Sequence, residues 1–214
     1  MKAVSGVWLW TAAVLAALVA LGSLRYLATG AAGAPPTVAA NRFAASGVLL
    51  LHIGVATVAL ALGPFQFVAG LRARWPAWHR RIGTTYVVAC LVGGLAGLTL
   101  AVGASTGPVS QAGFGLLAVA WIACTFLAWR YAQARDFVRH QQWMTRSFAL
   151  TFAAVTLRLY LLVPLLAHLD FDASYRAISF LCWVPNLILV ELWLRRRSLL
   201  RTTPPRAAPS QSPG

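Results

Sequence analysis

The sequence predicts an all-α integral membrane protein, a bundle of six transmembrane helices with both termini on the cytoplasmic side. The first observation is composition. The chain has 214 residues, of which 59% are hydrophobic and 10% are charged, whereas a soluble domain carries about a quarter charged residues. The second is that the hydrophobic residues fall into six long runs, and the third is that arginines concentrate between alternate runs.

The six apolar segments are about as long as a membrane is thick. They lie at approximately 6–27, 45–71, 82–104, 112–131, 147–168 and 175–194. Each is near the roughly 20 residues that a helix needs to cross a bilayer. Because lipid offers no partner to backbone polar groups, we expect helices rather than strands.

These segments predict one transmembrane domain over residues 1–197 and a disordered cytoplasmic tail over 198–214, where Pro, Ser and Ala are frequent. The first segment follows Lys2 and has a single charge before it, which is weak support for a secretory signal. We expect it to stay as a membrane span, although cleavage as a signal peptide remains open.

Arginine placement predicts the orientation. The loop after the second segment, the loop after the fourth and the tail are rich in arginine: Arg72, Arg74, Arg80 and Arg81; Arg130, Arg135, Arg139 and Arg146; Arg195, Arg196, Arg197, Arg201 and Arg206. Basic loops stay in the cytoplasm, so both termini are predicted to lie inside. The net charge of +14 would suggest nucleic acid in a soluble protein. Here it predicts contact with anionic lipid headgroups and no nucleic-acid partner.

Features of soluble enzymes are missing from the sequence. It contains no glycine-rich phosphate loop and no soluble catalytic motif, and it has only four acidic residues for acid–base work. We therefore expect a protein that is not an enzyme. The three cysteines, Cys90, Cys124 and Cys182, all lie in apolar runs and predict packing residues. Gly93 and Gly97 form a small-residue pair that allows close helix approach.

His52, Arg158 and Glu191 stand out within the apolar segments, because an ionisable group at the bilayer centre costs about 2.5–3.5 kcal/mol. Arg158 lies near the middle of the fifth segment and is expected to face the bundle interior. Asn186 lies at similar depth on the sixth, and Glu191 lies about 10 Å closer to the cytoplasm by helical rise. Arg158 is predicted either to clamp two helices together by hydrogen bonds or to act as the counter-charge for an anionic ligand.

His52 and Gln66 are polar positions of the second segment. They are spaced so that both fall on one stripe of a helix, at different depths. An imidazole can be satisfied by a neighbouring carbonyl, so His52 is predicted either as a structural residue or as a ligand or proton site.

His79 and His140 precede the third and fifth segments on the predicted cytoplasmic side. Two neutral histidines from different helices can ligate a haem iron axially. Nearby arginines such as Arg80 and Arg146 would then suit the haem propionates. The alternative is that these histidines and arginines bind phospholipid phosphates at the interface. Haem b is therefore a candidate cofactor, with His79 and His140 as candidate metal ligands.

Several motifs together resemble a known family. They are His52-Ile53-Gly54, Gly63-Pro64-Phe65-Gln66-Phe67, Leu71-Arg72-x-Arg74-x-Pro76-x-x-His79-Arg80, Arg135-Asp136-x-x-x-His140-x-x-Trp143-Met144-x-Arg146-Ser147, Phe152-Ala153-Ala154-Val155-Thr156-Leu157-Arg158 and Cys182-Trp183-Val184-Pro185-Asn186. They resemble a family of predicted bacterial integral membrane proteins, a domain of unknown function, over roughly 45–197. The resemblance implies a multi-helix protein of the bacterial cytoplasmic (inner) membrane. It marks these motif positions: His52, His79, His140, Arg158, Asn186 and Glu191.

Three functions remain open from the sequence. The first is an assembly or accessory factor for another membrane protein complex. The second is a haem-binding or electron-transfer protein that uses His79 and His140. The third is a small transporter or lipid-interacting protein whose polar interior contains Arg158 and His52.

Overall fold

The computed structural model of the protein describes residues 6–33 and 36–202, and these form only helices and their connections. The α-helices are α1 (Gly6–Thr29), α2 (Pro36–Ala39), α3 (Val48–Leu62), α4 (Ala69–Arg74), α5 (Pro76–Val102), α6 (Pro108–Gln133), α7 (Phe137–Thr151), α8 (Ala153–Leu166), α9 (Phe171–Leu181) and α10 (Val184–Thr202). Short 3-10 segments cover Gly30–Gly33, Ala44–Ser46 and Pro64–Phe67.

The predicted fold class is confirmed, since six stretches of helix are long and apolar enough to cross a membrane. They are Gly6–Thr29, Val48–Phe67, Pro76–Val102, Pro108–Gln133, Phe137–Leu166 and Phe171–Ser198. The protein is therefore a multi-pass membrane protein. The side on which the termini lie stays a prediction.

Helix boundaries differ from the apolar segments at the arginine-rich ends. The third spanning helix begins at Pro76 rather than at 82, and the fifth begins at Phe137 rather than at 147. Helical backbone hydrogen bonds do not require apolar side chains, so the helices continue into the basic interface. His79 and His140 therefore lie in the first turns of α5 and α7, not before them.

Three of the six spans are interrupted. Pro64 follows the end of α3 and opens a 3-10 segment, as expected for a residue that lacks an amide proton. The sixth span breaks at Cys182 and Trp183, just before Pro185. Pro164 lies inside α8, and that helix continues past it to Leu166. The fifth span also breaks at Phe152, where no proline indicated it. At the tail, α10 continues to Thr202, so residues 198–202 are helical. The rest of the tail predicted to be disordered, 203–214, lies outside the described residues.

The core is built from small residues and aromatic rings. Helix α1 packs on α3, α3 on α5, α5 on α6, and α6 on both α7 and α9, while α7 packs against α10 and α8 against α9. Tyr86 and Trp121 lie in the main core cluster with Cys90 and Cys124. All three cysteines are buried and free, which fits their predicted role in packing.

The two ends of the bundle differ in charge and are named accordingly. The basic end carries α4 and the α6–α7 connection, residues 68–75 and 134–136. The arginine-poor end carries residues 30–33, 36–47, 103–107 and 167–170. At that end Asn41 donates to the Leu100 carbonyl at 2.7 Å, and Ser105 donates to the Thr37 carbonyl at 2.9 Å. These bonds hold the first two arginine-poor connections together.

Candidate functional site: a cavity lined by Arg158 and His52

A cavity of about 310 Å³ lies inside the bundle and reaches towards the arginine-poor end. Every spanning helix contributes to its wall. Most of the lining is apolar, and the polar groups that line it include Ser23, Tyr26, Asn41, His52, Thr151 and Arg158. The sequence-predicted residues Arg158 and His52 therefore share one cavity. The other predicted candidates do not line it.

The side chain of Arg158 extends from α8 to α1. Its guanidinium donates to the Ala154 carbonyl one turn earlier in its own helix, at 2.8 Å, and to the Ser23 hydroxyl of α1, also at 2.8 Å. Its partner on another helix is therefore Ser23, and not Asn186, which lies at a similar depth on the sixth span. Helix packing places α8 against α1 at this level, which the chain order does not reveal.

The charge of Arg158 has no counter-charge in the described residues. Asp136, Asp170, Asp172 and Glu191 all belong to the described ranges, and none of them lies within 4.0 Å of the guanidinium. Both of its hydrogen-bond acceptors are neutral. An unpaired charge in a membrane interior is costly. The guanidinium therefore brings to the cavity wall a positive charge that no carboxylate of the described residues balances.

His52 faces the same cavity from α3. Its Nδ1 lies 2.8 Å from the carbonyl oxygen of Gly93 on α5, and both the ring and Arg158 line the cavity. A Cβ at Gly97 would lie 3.1 Å from the His52 ring, so the glycine makes room for it. Because Nδ1 is engaged by a carbonyl, Nε2 is the nitrogen that a ligand can use.

A buried hydroxyl cluster that sequence reasoning missed adjoins the cavity, which it reaches through Thr151 and Trp121. Tyr86 lies 2.8 Å from the Thr151 hydroxyl and 3.0 Å from that of Ser147, and Thr125 lies 2.7 Å from Ser147. Trp121 Nε1 donates to Thr151 at 2.9 Å. Ser147 and Thr151 are four residues apart on one helix face, and that spacing is the signal that could have indicated the cluster.

Asn186 stabilises the two helix breaks rather than lining the cavity. Its amide nitrogen lies 3.3 Å from the Ala149 carbonyl and 3.1 Å from the Cys182 carbonyl, both beside a break. It lies 3.2 Å from the Thr156 hydroxyl, which donates in turn to Cys182. In a membrane, carbonyls beside a break must find partners within the protein. Asn186 donates hydrogen bonds to these carbonyls and so stabilises the two breaks, one of which includes the cavity-lining Cys182.

Glu191 pairs with Arg146 and joins α10 to α7. The guanidinium donates through Nε and, at 3.1 Å, through Nη2 to the two carboxylate oxygens. It also stacks 4.5 Å from the centre of the Trp143 ring. A bidentate pair of this kind fixes geometry, because the planar fork matches the carboxylate. Arg146 and Glu191 therefore form an interhelical clamp.

The remaining candidates lie at the basic end. His140 Nδ1 lies 2.9 Å from the Ala128 carbonyl, so Nε2 is the nitrogen that would ligate iron in the haem hypothesis. His79 lies close enough to His140 to interact with it electrostatically. Gln66 is buried, whereas Arg80 is exposed on α5. Haem ligation by His79 and His140 stays a prediction.

The chain matches the model of a known protein family. Residues 49–194 match the model of a family described as a predicted membrane protein (DUF2306). This match covers more than half of the chain. The chain belongs to that family. The resemblance seen in the sequence motifs is thereby confirmed, and the DUF2306 region contains both His52 and Arg158. It also extends over all the other candidate residues.

Two further comparisons return nothing for this DUF2306 protein. No curated protein matches the chain, and no solved structure matches it. The family match supports a membrane protein with several apolar helices and assigns it no activity.

Proposed function

We propose that this DUF2306 protein binds a small anionic amphiphile, with the anionic group on Arg158 and the hydrocarbon in the apolar part of the cavity. This is the lipid-interacting or transporting role among the functions that the sequence left open. One observation carries it: the guanidinium of Arg158 lines the cavity with no carboxylate beside it among the described residues.

An ion that is partly removed from water is stabilised when a partner charge compensates the lost hydration. Arg158 has two neutral acceptors, which satisfy hydrogen bonds but leave its charge uncompensated. A bound carboxylate or phosphate would provide the missing charge, and guanidinium is well suited to both anions.

The size and lining of the cavity favour an amphiphile. The volume of about 310 Å³ is at the small end of the range of roughly 300–1,000 Å³ for ligand pockets. Leu60, Leu117 and Leu161 are among the apolar residues of the wall. Polar groups are few and include His52, whose Nε2 can accept a hydrogen bond from a hydroxyl or acid proton. Decyl phosphate, which combines a monoanionic phosphate with a short chain, has the required chemistry.

The experiment is a titration of the purified full chain, in nonionic detergent, with decyl phosphate. Decanol and decyltrimethylammonium serve as neutral and cationic probes of the same chain length. We expect decyl phosphate to bind far more tightly than either. Arg158→Met should lose this preference, with binding at least about 30-fold weaker, since a lost charge-assisted contact costs roughly 2 kcal/mol or more.

The matched control is Arg176→Met. Arg176 lies on α9 towards the arginine-poor end but does not line the cavity. The Arg176→Met variant should bind decyl phosphate as tightly as the unaltered protein does. Equal binding of the phosphate, the alcohol and the ammonium probe would contradict the proposal, as would equal losses in the two arginine variants.

Transport of the ligand would be a second step of the same function. The fifth and sixth spans are both interrupted beside the cavity, and interrupted helices are a feature of transporter binding sites. We place the arginine-poor end, and thus the cavity, on the outer side of a bacterial inner membrane, because this follows from the arginine distribution. The assembly-factor and haem hypotheses have no comparable observation in their support.

A further inference from the structure

A second polar site lies at the basic end of the bundle, away from the cavity. The side chain of Gln66 is 7% exposed, and its Nε2 has no hydrogen-bond partner in the described part of the chain. The Nδ1 of His79 is likewise buried and unpartnered among these residues. Natural proteins rarely leave such groups unpaired, so each one calls for an explanation.

The two groups are neighbours. A Cβ at Gly83 would lie 3.2 Å from the Gln66 side-chain oxygen, so the amide rests against α5 at that glycine. His79 lies four residues before Gly83 on the same face of α5, roughly 6 Å away by helical rise. The unsatisfied amide and the unsatisfied ring nitrogen are therefore about one helical turn apart.

The surroundings of this pair are positive. Arg72, Arg80 and His140 each interact electrostatically with His79. The segment 66–81 contains four arginines and no acidic residue. Metal cations are disfavoured by this charge, and no group of three or more metal-ligating side chains exists in the described residues. An anion with several acceptor oxygens would satisfy the amide and compensate the arginines.

We propose that Gln66 and His79, flanked by Arg72 and Arg80, form a binding site for a phosphate group, and that the group belongs to an anionic phospholipid headgroup of the membrane. Gln66 lies in the 3-10 segment that ends the second span, and Trp75 and Trp78 follow it with exposed rings. Exposed tryptophans are typical of the headgroup level, which places the site where lipid phosphates are.

The test uses native mass spectrometry of the full chain with dioctanoyl phosphatidic acid, and dioctanoyl phosphatidylcholine for comparison. Every titration is repeated in an Arg158→Met background, so that binding in the cavity does not contribute. We expect one phosphatidic acid to bind with clear preference in both backgrounds. Gln66→Met and His79→Phe should each weaken it at least tenfold.

The matched controls are Gln133→Met and His168→Phe, which replace exposed side chains of the same types. They should leave binding unchanged. Gln66→Met should also raise the Tm of the lipid-free protein, because methionine has nearly the shape of glutamine and brings no unpaired amide. A purely structural amide would show the opposite change, a lower Tm.

The remaining outcomes separate the sources of the phosphate. If inorganic phosphate does not displace phosphatidic acid, the lipid is the ligand, as proposed. If inorganic phosphate displaces the lipid at millimolar concentration, the residues do bind phosphate, but the proposal that the phosphate belongs to a phospholipid is overturned. Equal lipid binding by Gln66→Met and Gln133→Met would overturn the site itself. A Soret band that His79→Phe abolishes would also overturn it, because His79 would then ligate haem iron.

Discussion

Replacing Arg158 with methionine should leave the ligand-free protein almost as stable as before. The change removes a guanidinium that donates to Ala154 and Ser23. Neither acceptor is left unsatisfied, since the Ser23 hydroxyl donates to the Val19 carbonyl at 2.7 Å and the Ala154 carbonyl belongs to the α8 helix. Methionine keeps much of the side-chain length and fills apolar space.

Two opposing quantities set the size of the effect. Hydrogen bonds to a charged group contribute about 1.5–3 kcal/mol each, and the lower value applies where the acceptors keep other partners. A charge at the centre of a spanning helix costs about 2.5–3.5 kcal/mol. Arg158 lies eight residues before the end of the fifth span at Leu166, not at its centre, so its charge has at most this cost. Two bonds at the lower value give about 3 kcal/mol, most of which the charge penalty offsets. We expect a net change below about 1 kcal/mol, or a Tm shift within about 2–4 °C.

The Tm of Arg158→Met should differ clearly from that of the unaltered protein only when ligand is bound. At a decyl phosphate concentration of about 100 times Kd, binding stabilises the folded state by roughly 2.7 kcal/mol. Thermal denaturation should therefore show an upward Tm shift of about 5–10 °C in the unaltered protein. Arg176→Met should retain this shift, and Arg158→Met should lose it.

One result would refute this reasoning about Arg158. If Arg158→Met lowers the Tm of the ligand-free protein by more than about 10 °C, the two hydrogen bonds outweigh the charge penalty by several kcal/mol. Arg158 would then be a structural clamp between α8 and α1. A normal ligand-induced shift in this variant would lead to the same conclusion.

Three other predictions follow from named contacts. Arg146→Met should destabilise the protein by about 1–3 kcal/mol, a cost between those of exposed and buried ion pairs. Adding Glu191→Met should recover part of the lost Tm, because it removes the unpaired carboxylate. A further loss of Tm in the double variant would contradict the pairing. Tyr86→Phe removes the hydroxyl that links two buried hydroxyls and should cost about 1–3 kcal/mol by thermal denaturation; an unchanged Tm would show that the cluster is not stabilising. Reporter fusions after Gly107 and after Gln133 should report opposite sides of the membrane, with Gln133 inside, and one side for both would disprove the topology.

The sequence was informative about single residues but poor at predicting their partners. Arg158 and His52 were identified by their polarity within apolar runs, and both line the cavity. Glu191 was identified in the same way, yet its partner is Arg146. Only the position of one helix against another decides which of two arginines meets the carboxylate.

The hydroxyl cluster shows a second limit. Thr125, Ser147 and Thr151 are ordinary residues in membrane helices, where a hydroxyl can bond to the carbonyl one turn earlier, as Thr151 does to Ser147 at 2.9 Å. Nothing in their chemistry demands a distant partner, in contrast to an arginine. These hydroxyls meet that of Tyr86 only because α6 packs against both α5 and α7.

What the sequence alone determined is the membrane architecture: the number of spanning helices, their approximate positions and the uneven distribution of arginine between the two ends. These are decided segment by segment, because lipid forces each apolar run to satisfy its own backbone as a helix. The tertiary structure decided the contacts: Arg158 with Ser23, Glu191 with Arg146, and the cavity that Arg158 shares with His52. In a membrane, helices associate through packing and specific hydrogen bonds rather than through a hydrophobic driving force, so apolar sequence patterns do not specify which faces meet.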